Sequence, residues 1–260
     1  MSDPLRYEIA GPEGAPIVML SAGLGGAGAY WQPQMAALTA SYRVITYDQR
    51  GTGNNSGPVA DGVTIADMAD DVAAILNDAG ASPCCFIGHA LGGLIGLDLA
   101  LRHPARLRSL VLVNAWATLD PHTARCFDVR TEILRASGPT AYIKAQPIFL
   151  HPAAWLSQHA ERLADEEARA RDHFQGSDNL RRRIAAVRGF DASDGLAAIT
   201  TRTLVIATGD DMLVPSTCST ALAVRLPHAK LMMFDYGGHA SNVTDPDPFN
   251  TALLDFLGTA

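Results

Sequence analysis

Cysteine, positive charge and long apolar runs are all scarce in this chain of 260 residues, and each scarcity closes off a class of protein. Four cysteines fit neither a disulfide framework nor the spacing of a metal site. Two of them, Cys84 and Cys85, are adjacent; on a strand they point to opposite faces and read as reduced, structural thiols. Lys and Arg number 20 against 27 Asp and Glu, and the net charge of -7 repels the phosphates of nucleic acids and of anionic membranes. The first twenty residues lack a basic start, and their longest apolar run, Ile17 to Leu20, falls short of a secretory leader. An uncharged stretch from Gly14 to Tyr42 is broken by Pro16, by four glycines between Gly23 and Gly28, and by Gln32-Pro33-Gln34, so it does not read as a membrane helix. We expect a soluble, cytoplasmic protein that meets neither nucleic acid nor membrane.

The chain does have enough apolar residues, 48% against 18% charged, to build a globular core at a length that suits one large α/β domain. Short apolar runs alternate with helical patterns, the signature of βαβ units and a parallel sheet. Strands are expected from Pro16 to Ala22, Arg43 to Asp48, Cys84 to Gly88, Ser109 to Asn114, Thr203 to Thr208 and Lys230 to Asp235. Ile65, Met68, Val72, Ile75 and Leu76 recur at helical spacing, with Thr64 and Asp67 placed as a capping box and Gly80 as a stop. Further helices run from Ala90 to about Arg102 and from Asp245-Pro246 to near Leu257. Residues 117–196 break the rhythm with helical segments and no convincing strand, which makes them a cap inserted into a core of residues 1–116 and 197–260. Within that cap, Arg181-Arg182-Arg183 reads as a solvated face, with binding of a substrate carboxylate as the alternative.

Gly88-His89-Ala90-Leu91-Gly92 lies at a strand-to-helix junction, where a G-x-S-x-G sequence would form a nucleophile elbow. Here the central residue is Ala90. An acid follows the strand ending at Thr208, in Gly209-Asp210-Asp211, and a histidine follows the last strand, in Gly237-Gly238-His239. The order elbow, acid, histidine resembles the triad of the α/β-hydrolases with the nucleophile absent. That resemblance implies a mostly parallel central sheet flanked by helices, and it prefers Asp211 over Asp210 through its spacing to Val214-Pro215. It also assigns Ser21-Ala22-Gly23-Leu24 to the oxyanion loop, with the backbone N–H groups of Leu24 and Leu91 converging on a developing negative charge. A phosphate-binding reading of these glycines fails for want of the lysine such a loop needs. Asp48-Gln49-Arg50-Gly51-Thr52-Gly53 reads as a structural turn in which Asp and Arg tie loops together.

A narrower resemblance follows from five motifs: Gly88-His89-Ala90-Leu91-Gly92; Asp48 to Asn55; Gln146-Pro147-Ile148-Phe149-Leu150; His173-Phe174-Gln175-Gly176; and Tyr236 to Pro246. Together they resemble the RutD family, hydrolases of the route by which bacteria take nitrogen from uracil, over nearly the whole chain. The resemblance implies that Ala90 is natural. It also implies hydrolysis of either carbamate, to carbon dioxide and ammonia, or 3-aminoacrylate, to malonic semialdehyde and ammonia.

With no hydroxyl at position 90 no acyl-enzyme can form there, and general acid–base catalysis by His239, oriented by Asp211, is what remains. A water seated in the space of the missing Oγ is the expected reactant for an enamine. The partner is a small molecule, no cofactor or metal is expected, and a substrate of so few atoms calls for a small pocket walled by Trp116, Phe149 and Trp155. Three other readings stay open: a serine esterase, lactonase or amidase carrying Ala in place of its serine, a non-catalytic binding protein, and a hydrolase drawing its nucleophile from Ser21 or Ser241.

Overall fold

Apolar residues at successive rather than alternate positions mark strands covered on both faces. The computed structural model, which describes residues 4–258, is organised by such strands. They are β1 (Tyr7–Ala10), β2 (Ile17–Ser21), β3 (Arg43–Tyr47), β4 (Cys84–His89), β5 (Leu107–Val113), β6 (Thr203–Thr208) and β7 (Ala229–Phe234), in the sheet order β1-β3-β2-β4-β5-β6-β7. β1 runs antiparallel to β3 and every other pairing is parallel. The helices are α1 (Gln32–Thr39), α2 (Ile65–Asp78), α3 (Leu91–Arg102), α4 (Pro121–Leu150), α5 (Ala153–Gln158), α6 (Ala160–Asp172), α7 (Ser177–Arg188), α8 (Ser216–Arg225), α9 (Ser241–Thr244) and α10 (Pro246–Gly258).

Side-chain alternation along the strands divides the core in two. Met19, Phe86, Leu110, Leu112 and Val205 pack with α2, α3 and α8 on one face. Val18, Leu20, Ile87, Val111 and Ile206 pack with Trp31, α1 and α10 on the other. Cys84 and Cys85 accordingly lie in different layers, both buried and free, and burial pushes the Cys84 thiol up to about 12. Among the described residues no helix is long and apolar enough to cross a membrane.

The parallel register brings several loops to one edge of the sheet. Ser21 lies beside Gly88, Gly88 beside Leu112, Leu112 beside Val205 and Val205 beside Leu231. The segments that follow β2, β4, β5, β6 and β7 therefore emerge together at the carboxyl ends of the strands, where open α/β sheets bind ligands. Between β5 and β6 the described residues form four helices, α4 to α7, with no strand beyond a single bridge between Thr118 and Asp191. These inserted helices are tied to the core by polar contacts. Asn179 bonds the Val59 N–H and the Gly57 carbonyl, and the Thr123 hydroxyl donates to the Leu213 carbonyl.

Four of these elements, β1, α1, α8 and α9, have no counterpart in the sequence reading. β1 is a four-residue, half-exposed edge strand, too short to show a period, and it exists because β3 offers a free edge. α1 buries only Gln34 and Leu38 along its length, so it carries no apolar stripe to find.

The capping box at the start of α2 is present in full. Thr64 Oγ1 accepts from the Asp67 N–H at 3.2 Å, and Asp67 Oδ2 accepts from the Thr64 N–H at 2.8 Å. The Thr64→Ala variant is expected to lose about 1 kcal/mol of stability, read as a lower urea midpoint with an unchanged slope.

Candidate active site

The junction between β4 and α3 turns within one residue. Ala90 has φ +47° and ψ -111°, a conformation costly for any residue with a Cβ, and its neighbours hold it there. Its N–H donates to the Val113 carbonyl at 2.9 Å, and its carbonyl accepts from the N–H groups of Gly93 and Leu94 at 2.8 and 3.1 Å. Glycine is required on both sides because the chain passes so close to itself: a Cβ on Gly88 would overlap the Gly92 carbonyl, and one on Gly92 would overlap that of Ser21. The turn lifts the Ala90 methyl to the end of the sheet, where a nucleophile would stand, and the methyl cannot attack.

The loop after β2 runs alongside. A Cβ at Gly23 would lie 2.9 Å from His89 Nδ1 and 3.6 Å from the Ala90 methyl, so Gly23-Leu24 borders the elbow directly. Leu91, the first residue of α3, carries one of the N–H groups that a helix leaves without an internal acceptor. The Leu24 carbonyl is gripped from outside by Arg183 Nη1 at 2.8 Å and Gln175 Nε2 at 3.3 Å. Arg183 also donates to the Gln175 and Gln49 side-chain oxygens, while Gln49 Nε2 donates to the Ala22 carbonyl at 2.7 Å.

This overturns one expectation. Arg183 is not part of a solvated face; it is 0% exposed, and its burial lowers its pKa to about 10. Arg181 and Arg182 do face solvent beside Asp178 and Asp61. The Asp48 to Gly53 turn acts as a tie: Asp48 accepts from the Gly28 and Asn54 N–H groups, and Arg50 pairs with Asp71 at 2.5 Å.

His239 Nδ1 lies 2.8 Å from Asp211 Oδ2, with the two side chains 3% and 1% exposed. The other Asp211 oxygen accepts from the N–H groups of Leu213 and Val214 at 2.8 and 2.9 Å. Asp210 has a separate task, accepting from the N–H groups of Gly237 and Gly238 and so fixing the loop that carries His239. An imidazole that donates its Nδ1–H to a carboxylate keeps a free lone pair on Nε2, the form of a general base.

His89, which sequence reasoning left without a role, completes the support. His239's carbonyl accepts from His89 Nε2 and from Asn114 Nδ2, each at 2.8 Å. The His89 ring stacks on Tyr30 at 4.9 Å and lies 4.6 Å from the His239 ring. Burial, with His239 adding to it, holds the His89 pKa well below its usual value, so the ring is neutral. Since Nε2 is the donor, Nδ1 is its bare acceptor.

A cavity of about 500 Å³ opens over Ala90 and His239 and is lined also by Leu24, Leu91, Trp116 and Arg130. It is larger than the small pocket expected, because α6 stands off: four of its residues line the cavity and none is buried. Trp116 is in the wall; Phe149 and Trp155 are not. The cavity-facing positions of the second arm of α4 are Tyr142, Ile143, Gln146, Pro147 and Leu150, a helical stripe that leaves Phe149 just past its edge, against Arg130. Trp155 is stacked between the rings of His151 and His159 at 4.3 and 4.2 Å. Neither Ser21 nor Ser241 lines the cavity; the Ser21 hydroxyl is hydrogen-bonded to that of Tyr47 at 2.9 Å. Among the described residues no group of three or more His, Cys, Asp or Glu could hold a metal ion.

Arg130 is one of the cavity residues that sequence reasoning did not single out, with Tyr30, Phe127 and Tyr142 among the others. A signal existed: it falls in the series Thr123, Cys126, Phe127, Arg130 and Leu134, on the buried stripe of α4.

Residues 16–246 match the family described as the alpha/beta hydrolase fold. Two RutD proteins whose names propose carbamate hydrolysis are similar throughout. That of Variovorax paradoxus (strain S110) is 56% identical over 98% of this chain and 96% of its own. That of Agrobacterium fabrum is 52% identical over 97% and 98%. Among solved structures, a hydrolase from Pseudomonas aeruginosa PA01 superposes with a TM-score of 0.87 at 32% identity, covering 97% of this chain and 93% of that one. The enol-lactonase from Burkholderia xenovorans LB400 does so with a TM-score of 0.86 at 28% identity, covering 97% and 96%. With its glycine loop after β2, its elbow and its acid–histidine pair on the loops where such a sheet carries them, the chain belongs to the RutD family of α/β-hydrolases.

Proposed function

We propose that the chain hydrolyses a small carboxylated substrate at its C–N bond, carbamate or 3-aminoacrylate, by general acid–base chemistry at His239, as a cytoplasmic step in the recovery of nitrogen from uracil. The observation that carries this reading is the buried His239–Asp211 pair, 2.8 Å apart, at an elbow occupied by an alanine. The names of the RutD relatives support the hydrolase class and the carbamate substrate.

For 3-aminoacrylate in its imine tautomer, water adds to the carbon that bears nitrogen while His239 Nε2 takes its proton. That proton passes to the nitrogen, which has taken up the C=N electron pair; the new hydroxyl then gives its own proton to nitrogen by way of His239 as the C–N bond breaks to ammonia and malonic semialdehyde. The N–H groups of Leu24 and Leu91 suit the hydroxyl oxygen as it gives up its proton and carries negative charge before the carbonyl forms. For carbamate, protonated His239 delivers its proton to nitrogen and the C–N bond breaks to ammonia and carbon dioxide. In both cases Asp211 keeps the imidazole in the useful tautomer and steadies its charged form. The inserted helices act as a cap that shields these steps from bulk water.

A second reading has a specific observation behind it. A cavity of about 500 Å³ takes ligands larger than four to six heavy atoms, and one solved neighbour is an enol-lactonase. A serine hydrolase with Ala at position 90 would have this shape.

The two readings part on measurable rates. Release of ammonia from freshly generated 3-aminoacrylate or from carbamate is expected to exceed the uncatalysed rate, and His239→Ala to lose about 100- to 10,000-fold of that acceleration while still folding cooperatively, at a lower melting temperature because a buried carboxylate loses its partner. Asp211→Asn is expected to lose less than His239→Ala, since it disturbs the tautomer and leaves the proton carrier in place. Equal rates for wild type and His239→Ala would leave binding without catalysis as the better account. In Ala90→Ser the new hydroxyl enters the space proposed for water, so ammonia release should fall or stay level. A large gain in ammonia release, or a burst of ester cleavage alongside an inactive wild type, favours the serine hydrolase.

A further inference from the structure

Arg130 stands apart from the other arginines in how its charge is met. Arg50, Arg102, Arg182 and Arg188 each sit on a carboxylate. Arg183, buried without one and likewise lacking an acceptor at Nε, spends both Nη atoms on three neutral oxygens and does not line the cavity. Arg130 is 5% exposed, lines the cavity, and forms no ion pair with any described residue. Its Nη2 donates to the Tyr142 hydroxyl at 3.3 Å and to the Gln146 side-chain oxygen. Its Nε is buried with no acceptor, and Nη1 enters no hydrogen bond with a described residue. A guanidinium has five N–H donors and does not lose its charge in proteins, so a buried one with donors unspent is a standing demand for an anion.

The surroundings hold this cation ready without neutralising it. Gly138, at φ +78°, breaks α4 and turns its second arm back, which brings Tyr142, Gln146 and Phe149 to Arg130 on the first arm. Gln146 is itself oriented, its Nε2 donating to the Tyr142 carbonyl at 2.8 Å. The rings of Phe127, Tyr142 and Phe149 have their centroids 5.4, 5.8 and 5.7 Å from the guanidinium carbon, close enough for cation–π attraction. Glu166 and Glu167 line the same cavity from α6, but Glu166 is paired with Arg162 at 2.7 Å and neither glutamate forms an ion pair with Arg130. At the other end, the Asp211 carboxylate is already matched by His239 and two backbone N–H groups.

We propose that Arg130 is the group that binds a substrate carboxylate in the cavity, and that it selects small monocarboxylates over neutral amides and esters of the same shape. This rests on the proposed function, whose candidate substrates both carry a carboxylate, and it adds the residue that reads it. Arginine suits the task because its planar fork matches two carboxylate oxygens, which a lysine ammonium does not.

Propanoate and its neutral counterpart propanamide test the proposal without any turnover, by calorimetric titration of the full chain. Wild type is expected to bind propanoate about 10- to 100-fold more tightly than propanamide, the range for a hydrogen-bonded charge. Arg130→Met should bring that ratio near one while propanamide affinity stays level, and Arg130→Lys should fall between. In nitrogen-labelled wild type, which avoids any folding defect of the variants, propanoate and not propanamide should move a buried guanidinium Nε–H signal. In the ammonia assay Arg130→Met should raise KM with a smaller change in kcat, the reverse of His239→Ala. Equal affinity for the two probes in wild type, no detectable propanoate binding, a static guanidinium signal, or an undiminished preference in Arg130→Met would each overturn the proposal. Failure of the proposed reaction reads differently: His239→Ala would match wild type in ammonia release, and the propanoate preference would persist.

Discussion

The turn at Ala90 is the constraint from which the site follows. A residue with a Cβ is held at φ +47° by hydrogen bonds at both its N–H and its carbonyl, and the helix after it starts against the carbonyls of the neighbouring strand. That contact sets where α3 lies on the sheet, how near the loop after β2 can come, and where a side chain at position 90 points. Strain of this kind persists where the surroundings over-determine it. Here they do so around a methyl group, at the mouth of a cavity that His239 also lines.

Polar wiring then makes the site rigid. Asp210 and Asp211 are adjacent in sequence and divided in task, one bonding the glycine loop that carries His239 and the other the imidazole. His89 and Asn114 hold the His239 carbonyl, so the histidine is fixed at ring and backbone alike. Arg183 reaches from an inserted helix to Leu24 and Gln49 and joins that helix to the loop after β2. Buried groups wired in this way are costly to place and costly to break, and they fix the position of the imidazole.

The core strands were legible because buried parallel strands write continuous apolar runs; the stretch from Thr203 to Thr208 matches β6 end to end. The acid–histidine geometry was legible because loop order follows strand order in such a sheet. Less legible were features whose cause lies in a different part of the chain. β1 needs the free edge of β3, Phe149 was turned from the cavity by the phase of α4, and Trp155 was taken up by two histidine rings of its own neighbourhood. Arg130 and Arg183 each occupy a position on an apolar helical stripe, and only the charge of the side chain argued for solvent.

By itself the sequence determined the alternation of strands and helices, the glycines that permit the turn at Ala90, and the absence of a nucleophile there, all of which depend on residues near one another in the chain. Tertiary structure alone decided that two arginines are buried and that the cavity exceeds the small pocket its expected substrate called for. The reason is physical: burial of a charge and the volume of a cavity are properties of elements meeting across the fold, and they are set by what packs opposite rather than by what precedes or follows along the chain.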